Sequence, residues 1–68
     1  MEEEIAKLFK DKRVIIFLYN KGIRRGQILN VSSSCLCIKD NKKGITTVEY
    51  KDIEEMNEDN QSFNGYGR

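Results

Sequence analysis

Aromatic, apolar and basic residues gather around one predicted turn of this 68-residue chain: Phe17, Tyr19, Ile23, Arg24 and Arg25, with Tyr50-Lys51 on a second turn. Such a set suits a single-stranded nucleic acid, whose bases stack on aromatic or apolar side chains while its phosphates meet Lys and Arg. Each residue also has a structural alternative. Phe17 lies inside an apolar run and suits a core, and Tyr19 ends that run beside a polar turn. Arg24 and Arg25 are adjacent, so in a strand they point to opposite faces and at most one serves a given surface. The loop pair Lys42-Lys43 has no aromatic neighbour and reads as ordinary solvated charge.

Catalytic chemistry finds less support. The chain has no His, so a general base would have to be a carboxylate or a lysine, and the acids lie in solvated runs. Cys35 and Cys37 lack a His partner that would activate a thiol. One residue apart in a strand, they would point the same way, and a disulfide between them would be strained. With no His and no second Cys pair, a structural zinc site has too few ligands. Both are expected to be reduced, replaceable strand residues, which suits a cytoplasmic protein with no metal or cofactor. The chain is expected not to be an enzyme and has no stretch long enough to cross a membrane.

The elements that must position these residues follow from periodicity. Residues 2 to about 11 predict one short helix, with Ile5, Leu8 and Phe9 as its docking stripe. Acids fill its first turn and lysines its last, matching the helix dipole. Arg13 to Tyr19 predicts a first strand, apolar on both sides and therefore covered on both. Asn20-Lys21-Gly22 is a turn in which Gly22 can take positive φ. A second strand runs from Ile23 to Val31, with Gly26 predicting a bulge or sharp bend. Cys35–Lys39 and Ile45–Glu49 predict a third and a fourth strand, and Tyr50-Lys51-Asp52 a turn into a short fifth ending near Met56. The expected fold class is mainly β: a small, strongly bent five-stranded barrel with a short N-terminal α-helix. The barrel domain is expected over residues 1–57, with 58–68 a flexible polar tail.

Net charge is only +1, but it is unevenly spread. Between Lys7 and Lys51 eleven Lys/Arg face three acids, a net of +8, while eight acids at the two ends outweigh Arg68 for a net of −7. A basic middle can keep a local positive field that the total conceals.

Three stretches resemble the Sm-like (LSm) superfamily, and within it the Hfq family of bacterial RNA chaperones. Val14 to Asn20 followed by Gly26-Gln27-Ile28 resembles the first Sm-like motif, Cys35 to Lys39 the apolar third strand, and Val48 with Tyr50-Lys51 part of the second motif. The resemblance spans about Ile5 to Met56. It implies a barrel of the Sm-like or SH3-like type and a homo-oligomeric ring of six or seven subunits that binds single-stranded RNA. Departures are specific: Val31-Ser32 replaces Phe-Asp, Asp52 replaces the final His, and Lys21 displaces the turn glycine. Fold and ring therefore transfer better than the family's uridine-binding pore. The alternative function is a non-enzymatic protein-interaction module built on an SH3-like barrel, which the acidic ends favour.

Overall fold

The computed structural model describes residues 1–40 and 42–59. It contains a helix α1 (Glu3–Lys7), strands β1 (Arg13–Leu18), β2 (Ile23–Val31), β3 (Cys35–Asp40) and β4 (Gly44–Glu49), a 3-10 turn over Tyr50–Asp52, and β5 (Ile53–Glu58). The strands form one antiparallel sheet in the order β4-β3-β2-β1-β5. The mainly β class, the number of strands and the leading helix agree with the sequence. Closure does not: no ladder joins β4 to β5, so the sheet is open with those two strands as its edges. The predicted tail lies mostly outside the described residues, and its first residue, Glu58, belongs to β5.

Alternation along the strands places the core. Val14, Ile16, Ile28, Leu36, Ile38, Val48, Ile53 and Met56 are buried together on one face of the sheet. Burying such β-branched and aliphatic side chains contributes roughly 1.5–3 kcal/mol each before conformational entropy is charged against it. Their neighbours Ile15, Phe17, Ile23 and Arg25 occupy the opposite face, where Phe17 pairs with Ile23 and Ile15 with Arg25 across β1 and β2.

The helix differs from its predicted form. It ends at Lys7 rather than near residue 11, and turn bonds of the i→i−3 type carry the chain onward from Leu8 to Lys12. Asp11, at φ 68°, then reverses the backbone, and its N–H donates to the Ile28 carbonyl at 2.8 Å. Ala6, fully buried, is the residue that docks, with Phe9 and Met1 packed beside it. Ile5 and Leu8 are exposed, Leu8 by 71%. A methyl group at position 6 lets the helix backbone lie close to the sheet, which turns the larger side chains outward. A charge at Leu8 is therefore not expected to break the core of a single chain.

Two further expectations are revised locally. The register irregularity of β2 falls between Ile28 and Asn30, not at Gly26, which pairs regularly with Val14 and Asp40. In the β1–β2 turn the positive φ belongs to Lys21, at 76°, rather than to Gly22. Gly22 instead donates its N–H to Asn20 Oδ1 at 2.8 Å, an Asx turn that presses Lys21 into the left-handed region. That conformation costs a non-glycine residue roughly 1–2 kcal/mol. Lys21→Gly is accordingly expected to raise stability by up to about 1 kcal/mol, part of the gain being lost to unfolded-state entropy. Urea unfolding checks this, and a lower midpoint would contradict the turn geometry.

Candidate nucleic-acid interface

The seven predicted site residues separate into distinct places. Ile23 and Arg25, with Ile15, line a shallow cavity of about 420 Å³ on the non-core face, bounded by Asp40 and Lys42. Phe17 is half-buried on that same face. Tyr19, exposed, lines a second cleft of about 380 Å³ with Arg24, Asn20, Thr47, Glu49 and Asp52 among its walls. Strand alternation puts Arg24 and Arg25 on opposite faces, as their adjacency requires.

Arg24 is committed to structure. Its side chain is 17% exposed, and Nε donates to Asp40 Oδ2 at 3.2 Å, Asp40 itself being 10% exposed. The Arg24 guanidinium also donates to Thr46 Oγ1. Asp40 Oδ1 accepts the backbone N–H of Lys42 at 2.7 Å and of Lys43 at 3.2 Å. The Lys42 N–H, foremost, then Arg24 and the Lys43 N–H, hold the Asp40 carboxyl below the usual carboxylate range against the opposing effect of burial. Arg24, Asp40, Thr46 and the lysine turn thus form one connected network spanning β2, β3 and β4.

Tyr50 is likewise a structural residue. It is buried in the core, its hydroxyl donates to the Ser32 carbonyl, and its backbone N–H donates to Ser34 O at 3.0 Å. Burial, with the nearby Glu3 charge adding to it, pushes its phenol above the ordinary tyrosine value. Its ring is therefore not presented to solvent for stacking. Lys51 is well exposed on the same turn, within 3.6 Å of Glu49 and 4.0 Å of Asp52. Those two carboxylates offset much of its charge for an anionic partner. Arg25, exposed on the non-core face, makes no ion pair among the described residues, and neither does Lys42 at the edge of the same cavity.

Sequence reasoning passed over Ile15 and Asp40, and it read Lys42, which borders the cavity, as ordinary solvated charge. Ile15 shares the parity of Phe17, and that was the available signal; the contribution of Asp40 depends on a β2–β3 register no local pattern specifies. Cys35 and Cys37 are half-buried free thiols on one face of β3. No helix among the described residues is long and apolar enough to cross a membrane. Compared with known protein families, curated proteins and solved structures, the chain matches none.

Proposed function

We propose that this protein is a non-enzymatic, Sm-like RNA-binding protein whose sheet is one unit of a homo-oligomeric ring. The observation that carries the proposal is the strand order β4-β3-β2-β1-β5, which leaves a strand with one open side at each end of a single sheet. Two different free edges on one subunit suit head-to-tail pairing, and a head-to-tail contact that closes forms a ring without leftover edges. The Sm-like motif residues, the helix preceding β1 and the short turn before β5 add support. On this proposal the sheet completes its barrel-like enclosure by pairing with its neighbours. RNA would lie across the non-core face, its bases on Ile15, Ile23 and the half-buried Phe17, its phosphates at Arg25, while Tyr19 offers a further stacking ring.

Fluorescence anisotropy with oligo-A and oligo-U at several salt concentrations tests the RNA part. Binding is expected to weaken steeply with salt through counterion release. Arg25→Glu should weaken it for both oligomers alike and lower the salt slope by about 1, as loss of a phosphate-contacting cation does. Absence of binding to both oligomers at low salt would overturn the RNA proposal. Such a result would favour the protein-interaction module, for which the exposed acidic strand β5 offers an edge to a peptide by strand addition.

A further inference from the structure

The register across three neighbouring strands lines up unlike side chains on the non-core face. One cross-strand row runs Arg25, Ile15, Asn57 and the next Ile23, Phe17, Glu55, from β2 through β1 to β5. Each row passes over an apolar β1 residue to a polar group on β5. The distance covered is two strand spacings, roughly 10 Å, the reach of a nucleotide from its phosphate to its base edge. The β5 end owes its form to an irregularity. Between Phe17 and Leu18 the register with β5 shifts, leaving Glu54 with no partner on β1. Ile53 and Met56 both reach the core across that shift, while Glu54 and Glu55 are both exposed. Glu55 thus stands beside Phe17 on the face where the bases are proposed to lie. Its carboxylate is oriented by Asn57, whose Nδ2 donates to Oε2 at 2.8 Å. Glu55 makes no ion pair among the described residues.

We propose that Glu55, held by Asn57, reads the Watson–Crick edge of a guanine stacked on Phe17 and Ile23. The proposal rests on the RNA-binding reading above and names the base that its site prefers. An ionised carboxylate only accepts hydrogen bonds, at about four lone-pair sites, of which Asn57 occupies one. Guanine alone among the common bases has two adjacent donors on that edge, N1–H and N2–H, so it can match both oxygens at once. Adenine and cytosine offer one donor beside a ring-nitrogen acceptor, and uracil offers one donor between two carbonyls. Each of these sets a lone pair against the carboxylate. The negative charge also repels the phosphates of every RNA, a cost that guanine alone offsets. Arg25 and Lys42, which line the cavity with Ile15 and Ile23, are the cations for the phosphate.

Fluorescence anisotropy tests this with oligo-U carrying one central guanosine, inosine or adenosine, beside plain oligo-U. A single guanosine also keeps the probe from forming four-stranded structures. The guanosine probe is expected to bind about fivefold or more tighter than oligo-U, as a bidentate contact allows. Inosine, which lacks the 2-amino group, and adenosine, which lacks the donors at both positions, are expected to lose most of that gain. Glu55→Gln should bring the guanosine probe to within about twofold of oligo-U, while binding oligo-U at least as tightly as the unaltered chain does. That crossing separates base reading from charge, because loss of a repulsive charge alone would tighten every probe alike. Circular dichroism checks that the variant is folded. Should it unfold, the difference between guanosine and inosine on the unaltered chain decides. A guanosine probe no better than oligo-U, or an inosine or adenosine probe that matches it, overturns the reading of guanine and leaves RNA binding intact. A folded Glu55→Gln chain that keeps the guanosine gain overturns the role of Glu55. Absence of binding to every probe overturns both this proposal and the RNA-binding one.

Discussion

Gly26→Ala is expected to unfold most of the protein at room temperature. A Cβ at this position would lie 2.3 Å from the Lys39 carbonyl oxygen, 2.9 Å from its carbon and 3.2 Å from the Asp40 Cα. All three are backbone atoms of β3, the strand that pairs with β2 on one side and β4 on the other. No rotamer change relieves the clash; the two strands must separate where Asp40 enters its network with Arg24. Overpacking costs of roughly 1–3 kcal/mol are usual, and a contact this short with main chain belongs at or above that range. A domain of this size has only a few kcal/mol of stability to lose, about 0.05–0.15 kcal/mol per residue. Gly44 supplies the comparison. It sits at φ 78° with nothing within 4 Å of a built Cβ, so Gly44→Ala meets conformational strain alone, on the order of 1–2 kcal/mol. Urea denaturation of both variants settles the ranking. If Gly26→Ala proves the milder of the two, the close approach of β2 and β3 is wrong.

That same glycine shows how far the sequence could be read. An isolated Gly within a strand pattern signals either a bend or a close backbone approach, and only the register across β2 and β3 tells which. The strands themselves were legible because the β-branched and aromatic composition of Arg13–Leu18, the short apolar run from Cys35 and the turn residues between them are local signals. The helix face was not. The i, i+3, i+4 spacing of Ile5, Leu8 and Phe9 is a genuine apolar stripe, yet what docks is set by how closely a helix can approach a sheet, and Ala6 wins on size. Arg24 was misplaced for a related reason. Basic residues beside a turn look available until a partner sixteen residues away, Asp40, is brought within 3.2 Å. Tyr50 looked like a surface aromatic because its neighbours are Glu49 and Lys51, whereas its own burial depends on the turn at Ser32 that accepts its hydroxyl proton. The candidate site thus separates along one line: residues whose role is fixed by strand parity were readable, and those fixed by long-range partners were not.

Thr47→Pro is expected to abolish assembly while leaving the sheet folded. The Tyr50 N–H bonds to Ser34 O, and Val48 and Thr46 pair with Leu36 and Ile38 in the same ladder. Antiparallel alternation then directs the N–H groups of Thr46 and Val48 toward β3, and those of Ile45, Thr47 and Glu49 toward the open edge. On β5 the Asp59 N–H bonds to Arg13 O, so by the same rule Met56 and Glu58 direct theirs outward. Proline at position 47 removes an edge donor that no strand among the described residues uses, and its ring blocks a partner strand from approaching. Proline is tolerated at an edge strand on the solvent side, so the fold should survive. Thr46→Pro is the matched control. It removes a donor directed at β3 and is expected to cost about 3 kcal/mol or more, unfolding the chain instead of merely dissociating it. The two variants differ by one position and by which side of β4 they silence. Light scattering should give Thr47→Pro a mass near 7.9 kDa with β-type circular dichroism retained. A Thr47→Pro protein that still assembles would show that β4 is not the interface, and the ring proposal would then have lost its structural basis.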